Sequence, residues 1–104
     1  MSTQFDNVSV VKKANIFSDG KCVSHTVLFA DGSKKTVGVM FPSTLEFTTR
    51  AAEMLELNGG KCKLRLAGES GWTEYTGGQQ FHVPADTRFE IEILETLDYV
   101  CHFL

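Results

Sequence analysis

One stretch decides the fold class, and it reads Arg88-Phe89-Glu90-Ile91-Glu92-Ile93. Apolar and charged residues alternate strictly along it, so an extended chain would place the apolar side chains on one face and the charged ones on the other. A helix would spread the same residues around its surface. The period of two therefore predicts a β-strand with one buried and one solvated face.

The same alternation occurs in two earlier runs. Residues 61–66 alternate basic with apolar side chains, and residues 22–29 place four side chains together on a predicted inner face, namely Val23, His25, Val27 and Phe29. Turn signals rich in glycine separate the runs at 19–20, 31–33, 58–60, 68–71, 77–78 and 84–86. Short strands joined by such turns predict an all-β sandwich or jelly-roll barrel, since no segment is long enough for a βαβ crossover.

The chain is predicted to form one domain. We expect a short N-terminal tail at residues 1–7 and a single domain at residues 8–104. Residues 49–57 contain several good helix formers, so a helical turn there is the alternative to a strand. Asn58-Gly59-Gly60 follows too soon for a long helix.

Composition excludes several classes of function. Ten basic and thirteen acidic residues among 104 give a formal charge of −3, which argues against nucleic-acid binding. No apolar run is long enough to span a bilayer, and the first residues have neither a basic start nor an apolar signal core, so we expect a cytoplasmic protein without membrane contact. Three cysteines without a C-x-x-C pair indicate reduced, buried thiols rather than disulfides or a zinc ribbon.

Two stretches have the spacing of cupin motifs. The first runs from Gly38 through Phe47, Thr49 and Glu53 to Gly60, and the second is residues 78–84 followed by Phe89. The chain thus resembles a cupin, which implies a single-domain, all-β, cupin-like jelly-roll β-barrel. Phe47, Thr49 and Phe89 stand where cupins have metal-binding histidines, and the remaining carboxylate of Glu53 does not make a metal site alone. We therefore expect no metal, which argues against dioxygenase or metal-dependent isomerase chemistry.

A longer series of residues identifies a narrower resemblance. It comprises Val37-Gly38-Val39-Met40, Pro42, Phe47, Thr49, Glu53-Met54, Gly60, Trp72, Tyr75, Gly78, Phe81, Val83-Pro84-Ala85, Phe89, Tyr99 and Cys101. From about Asn7 to Leu104 the chain resembles the small cupin-type pyrimidine/purine nucleoside phosphorylases of bacteria. His102 departs from the pattern, because an arginine is expected there.

The resemblance implies a pentosyltransferase of broad specificity. Orthophosphate and a purine or pyrimidine nucleoside would give the free base and ribose 1-phosphate, without cofactor or metal, since phosphate is itself the nucleophile. A homodimer is expected by analogy with cupins that pair through their outer strands. Two other readings stay open: a metal-free cupin module that binds a sugar or other small molecule without catalysis, and a metal-dependent oxygenase with unrecognised ligands.

Glu53 is the predicted catalytic residue, either hydrogen-bonded to the ribose hydroxyls or close to the positive charge that develops on the sugar. The ordinary alternative is a solvated or turn-capping glutamate. Phosphate requires cationic or N–H donors, for which the candidates are Arg50, His25 and Lys34 or Lys35. A histidine on an apolar face is also a common core residue, so His25 has both interpretations.

The remaining candidates would bind the base or the sugar. Aromatic faces accept purines and pyrimidines alike, and five side chains could supply them: Phe47, Tyr75, Phe81, Phe89 and Tyr99. Filling the core is the competing role for each. Thr49 is predicted to offer a hydroxyl to phosphate or ribose, and an ordinary strand threonine is its alternative.

Overall fold

The structure is a computed structural model and describes residues 3–104. Turn residues divide this part of the chain into strands. The strands are β1 (Ser9–Val10), β2 (Asn15–Phe17), β3 (Cys22–Leu28), β4 (Lys34–Met40), β5 (Ser43–Thr48), β6 (Glu53–Leu66), β7 (Thr73–Thr76), β8 (Gln80–Val83) and β9 (Arg88–Phe103). One 3-10 turn, Ser18–Gly20, connects β2 and β3. Residues 3–104 contain no α-helix, so the all-β prediction is confirmed.

The turn between β3 and β4 illustrates how local chemistry sets the hairpins. Gly32 has a φ of +88°, a conformation that glycine adopts without a steric penalty. The Asp31 carboxylate accepts hydrogen bonds from the backbone N–H of Ser33 at 2.9 Å and from its hydroxyl at 2.6 Å. This Asx-type turn closes an antiparallel hairpin in which Cys22 pairs with Met40 and Leu28 with Lys34.

Strands β6 and β9 form the centre of the sheet and pair with each other along most of their length. The hydrogen-bonded order is β1-β3-β4-β9-β6-β7, while β2 pairs with β3, β5 with β9 and β8 with β6. Within residues 3–104 no pairing joins β1 to β7, so the sheet is open and the predicted closure into a barrel is wrong. Both edge strands are short, with two and four residues, which leaves little backbone to close a barrel.

The predicted break at residues 58–60 is a β-bulge inside β6. The register against β9 shifts between Leu57 and Cys62, and Gly60 has a φ of +96°. A Cβ on Gly60 would collide with the carbonyl oxygen of Thr96, so glycine permits the close approach of β9. The helical alternative for residues 49–57 is also wrong, because Glu53 already starts a strand that pairs with β8 and β9.

One hydrophobic core lies inside the folded sheet. Phe89, Ile91 and Ile93 of β9 are buried, and so are Cys62 and Leu64 of β6, as the alternation predicts. The period of two along β6 and β9 is therefore confirmed, and it decides which side chains face the core.

The predicted orientation of β3 is wrong. Cys22 and Ser24 are buried on the inner face, which puts His25 on the outer face with its Nδ1 3.2 Å from the carbonyl oxygen of Val11. Val27 is buried on the outer face, beside Val10 of the neighbouring strand β1. Buried residues thus lie on both faces of β3, so apolar alternation alone does not tell the two faces apart.

The N-terminal residues that the structure describes lie against this outer face. Phe5 packs on Phe29 in an edge-to-face contact of 5.2 Å between ring centroids. Of the predicted tail, Met1 and Ser2 lie outside the described residues. Residues 3–104 include no helix that is long and apolar enough to cross a membrane.

Candidate active site

A cavity of about 240 Å³ lies between β2, β3, β4, β5, β6 and β9. Its aromatic lining consists of Phe17, Phe47, Phe89, Tyr99 and Phe103, and its polar lining of Asn15, Ser24, Thr36, Thr48, Thr49 and Glu53. Concave, largely apolar cavities with a few converging polar groups are typical of small-molecule sites. The cavity is therefore the candidate active site.

Glu53 supplies the carboxyl group of this cavity. It is the first residue of β6, pairs in register with Phe103 on β9 and is half-buried. Burial raises the pKa of the Glu53 carboxyl, and a hydrogen bond with the Cys101 thiol opposes that rise. Burial and the nearby Glu53 charge raise the pKa of Cys101 to about 12, so the thiol stays protonated as a donor to the carboxylate.

Uncharged polar side chains form one wall of the same cavity. The Asn15 amide nitrogen donates to the Ser24 hydroxyl at 3.4 Å, and the Tyr99 hydroxyl lies 3.5 Å from the Cys22 sulfur and is hydrogen-bonded to Ser24. The pKa of the Tyr99 hydroxyl is raised, mainly by burial and to a smaller extent by the contact with Cys22, so the phenol stays neutral. We call Asn15, Ser24 and Tyr99 the neutral wall.

Gly38 makes the neutral wall possible. It pairs with Ser24 on one side and with Tyr99 on the other. A Cβ at Gly38 would collide with the Val23 carbonyl oxygen and lie 2.7 Å from the Ser24 Cβ. Glycine therefore lets β3 and β4 approach closely, which brings Ser24 within reach of a tyrosine two strands away.

Phenylalanines form the wall next to these polar groups. The ring centroids of Phe17 and Phe47 are 6.4 Å apart, and those of Phe47 and Phe89 are 5.7 Å apart. Phe17 is 50% exposed and Phe89 only 4%, so the three rings run from the solvent to the core. Such a surface offers stacking area to a planar ligand.

The residues at the cupin ligand positions converge on the cavity. Phe47, Thr49, Glu53 and Phe89 all line it. The Thr49 hydroxyl, however, donates to the Pro84 carbonyl oxygen at 2.6 Å and accepts from the Thr87 backbone N–H at 3.0 Å. Both contacts hold the loop after β8, so this hydroxyl has a structural role.

Four other predicted site residues do not line the cavity: His25, Arg50, Tyr75 and Phe81. Tyr75 and Phe81 pack on each other with centroids 4.9 Å apart, on β7 and β8, which flank β6 on the side away from β9. Arg50 is exposed and follows Thr49 directly in the chain. His102, at the position of the expected arginine, lies 2.9 Å from both the Glu56 carboxylate and the Lys35 ammonium, and it too is absent from the cavity lining.

Positive charge is found beside the cavity rather than in its lining. Among residues 3–104 no lysine, arginine or histidine lines it, but the Lys34 ammonium lies 5.7 Å from the ring centroid of Phe103. Phe103 pairs with Glu53, so this cation is near the carboxyl end of the cavity. The described residues contain no group of three or more histidine, cysteine, aspartate or glutamate side chains that could hold a metal ion.

Sequence reasoning named five of the fifteen lining residues as site residues and missed the other ten: Asn15, Phe17, Cys22, Ser24, Thr36, Met40, Thr48, Leu55, Cys101 and Phe103. The spacing of Asn15 and Phe17 by two residues is the one signal that they share a strand face. Their proximity to Glu53 depends on the order β3-β4-β9-β6, which joins segments distant in the chain.

Known proteins match the chain over nearly its whole length. A family model described as pyrimidine/purine nucleoside phosphorylase matches residues 12–103. A protein named pyrimidine/purine nucleoside phosphorylase from Herminiimonas arsenicoxydans is 71% identical over 104 residues, which is 100% of both chains. One of the same name from Cupriavidus pinatubonensis is 64% identical over 101 residues, or 97% of this chain and 96% of that protein.

Solved structures match the fold. A protein of unknown function from Acinetobacter sp. ADP1 superposes with a TM-score of 0.95 at 45% identity, covering 99% of this chain and 100% of that one. An RmlC-like cupin with a double-stranded β-helix fold, from Methanocaldococcus jannaschii, gives a TM-score of 0.64 at 16% identity, covering 88% and 87%. The second likeness concerns the fold alone and confirms that the chain is cupin-like.

Proposed function

Because the chain belongs to the pyrimidine/purine nucleoside phosphorylase family, we propose that it is an enzyme that uses orthophosphate to cleave nucleosides. Purine and pyrimidine nucleosides would both be substrates, and the products would be the free base and ribose 1-phosphate. One observation carries the proposal beyond family membership: a carboxyl group and an aromatic wall share a single cavity.

The reaction sets three requirements on the cavity. A phosphate oxygen attacks C1 of the ribose, the bond from C1 to the base nitrogen breaks, and the bonding electron pair leaves with the base. The base takes up the proton that hydrogen phosphate loses, so atoms and charge balance. The site must hold the phosphate, stabilise the positive charge that develops on the sugar, and bind the base.

Glu53 is the proposed catalytic residue. Its carboxylate would accept hydrogen bonds from the ribose hydroxyls and stabilise the sugar cation, and its half-buried position in an apolar cavity strengthens that interaction. The protonated Cys101 thiol donates to the carboxylate and thereby orients it.

Phosphate would enter beside the carboxyl end of the cavity. Lys34, packed over Phe103, and Arg50, next to Thr49 in the chain, are the candidate cations there. His25 faces the other side of β3 and is not proposed as a ligand.

The base would stack against Phe47 and Phe89. Stacking depends little on the identity of the base, which is the physical reason for proposing broad specificity. Tyr75 and Phe81 pack on each other on the far side of β6 and are not proposed to contact the base.

Several finer expectations accompany this proposal. Activity without metal or cofactor fits the presence of Phe47, Thr49 and Phe89 at the cupin ligand positions, and a cytoplasmic location fits three free, buried cysteines. A jelly-roll arrangement of the open sheet, a single domain at residues 8–104 and a homodimer complete it. Exposed Ile16 and Val10 on the short strands β2 and β1 offer apolar surface for pairing of two copies.

The test is a product assay with purified protein. Uridine and adenosine are incubated with chelator, with and without orthophosphate, and the free base is measured by chromatography. We expect release of uracil and adenine only when phosphate is present. Binding of nucleosides without turnover would favour the non-catalytic cupin module, and base release without phosphate would indicate hydrolysis.

A further inference from the structure

The neutral wall of Asn15, Ser24 and Tyr99 has a property that the proposed reaction leaves unused. Each hydroxyl in it can rotate to donate or to accept a hydrogen bond. Ser24 and Tyr99 are 3% and 4% exposed, which is costly for polar groups unless they are hydrogen-bonded. They line the cavity, so a ligand inside it meets two hydroxyls of adjustable polarity.

The neutral wall adjoins the aromatic wall through the strand register. Asn15 pairs with Ser24, and two residues further along the same strands Phe17 pairs with Cys22. Phe17 in turn contacts Phe47. A planar ring stacked on the phenylalanines would therefore direct one edge towards Asn15, Ser24 and Tyr99.

We propose that the neutral wall binds the hydrogen-bonding edge of the nucleobase, and that its rotatable hydroxyls allow bases with amino groups and bases with oxo groups to bind equally. The proposal rests on the proposed function and names the groups that give it broad specificity. Cytosine and adenine present an amino donor where uracil and hypoxanthine present a carbonyl acceptor. A fixed donor would accept one pair and reject the other, because the rejected pair leaves a buried donor unpaired.

The opposite assignment, phosphate at the neutral wall, is less favourable. Phosphate is bound best by charge-assisted hydrogen bonds, and among residues 3–104 no cation lines the cavity. Lys34 lies instead beside Phe103, at the Glu53 end, four residues along β9 from Tyr99. If phosphate and ribose bind at the Glu53 end of the cavity, the base lies at the neutral wall.

The experiment compares Ser24→Ala and Tyr99→Phe with the wild-type enzyme on uridine, cytidine, inosine and adenosine. Removing the Ser24 hydroxyl frees one of the two Asn15 amide N–H groups, a fixed donor, while the hydrogen bond to the Thr26 hydroxyl at 3.1 Å holds the amide in place. We therefore expect kcat/KM for cytidine and adenosine to fall about tenfold more than for uridine and inosine, as for the loss of one hydrogen bond. Tyr99→Phe should also lower nucleoside kcat/KM, and neither variant should change the KM for orthophosphate.

Tyr75→Phe is the matched control, since it deletes a tyrosine hydroxyl outside the cavity lining and should leave all five substrates unaffected. Thermal unfolding verifies that each variant folds. Titration of the four free bases into wild type and Ser24→Ala by calorimetry gives a readout that needs no turnover, and the variant should lose affinity for cytosine and adenine first. Equal losses for all four bases, or a raised phosphate KM in a folded variant, would overturn the inference. An inactive wild-type enzyme that still binds bases would overturn the proposed function instead.

Discussion

Replacing Glu53 with glutamine is expected to lower kcat/KM for uridine about 100-fold. A carboxylate about 4 Å from a positive charge stabilises it by about 4 kcal/mol at an effective dielectric constant of about 20. Glu53 is only half-buried, so water screens part of this interaction and about 2.7 kcal/mol remains. Since about 1.36 kcal/mol corresponds to a factor of ten in rate, the loss is about 100-fold.

The same substitution should not weaken the fold. Burial raises the pKa of Glu53, so the folded protein binds this proton more tightly than the unfolded chain does, and the ionised carboxyl costs stability at neutral pH. Glutamine removes that cost, and the midpoint of thermal unfolding should stay the same or rise.

The assay measures initial rates of uracil release at saturating phosphate, together with thermal unfolding of the same samples. Glu46→Gln is the matched control: Glu46 precedes Phe47 on β5, is exposed and does not line the cavity. It should keep its activity. Full phosphorolysis by a folded Glu53→Gln enzyme would refute the role of the carboxylate.

Four further outcomes are expected. Activity should fall on acidification with an apparent pKa above that of an ordinary glutamate, because the Glu53 carboxylate is the active form and burial raises its pKa. A pH–rate profile checks this, and the Glu53→Gln profile should lack this acid limb. Phe89→Ala, which removes a ring from the core, should lower the free energy of unfolding by about 3–5 kcal/mol in urea titrations. Phe47→Ala should lower it by less, because Phe47 is only partly buried. Lys34→Ala should raise the phosphate KM about threefold, as expected for an exposed ion pair, whereas the remote Lys61→Ala should not; equal effects would argue against the assigned phosphate position. Treatment with chelator should leave kcat/KM unchanged, and recovery of lost activity with one divalent metal would contradict the metal-free proposal.

Sequence reasoning predicted burial correctly where one face of a strand is buried and the other faces solvent. Phe89, Ile91 and Ile93 show this on β9, since each is buried while the intervening glutamates are not. The cupin spacing also brought Phe47, Glu53 and Phe89 to one cavity. Those predictions depend on local periodicity and on motif spacing, both of which are read along the chain.

It failed where contacts distant in sequence decide the outcome. Buried residues lie on both faces of β3, Ser24 on the inner face and Val27 on the outer face, so alternation could not orient Ser24 and His25. Aromatic character alone did not separate Phe47, which lines the cavity, from Tyr75 and Phe81, which pack on each other beyond β6. The neutral wall joins residues 15, 24 and 99, and only the sheet order brings them together.

The identity of the nucleophile tests the central claim most directly. Uridine is incubated with the enzyme and orthophosphate labelled with ¹⁸O at all four oxygens, and the sugar product is analysed by mass spectrometry. If phosphate attacks C1 of the ribose, ribose 1-phosphate should form and retain all four labelled oxygens. Free ribose with an unlabelled oxygen from water would contradict phosphorolysis.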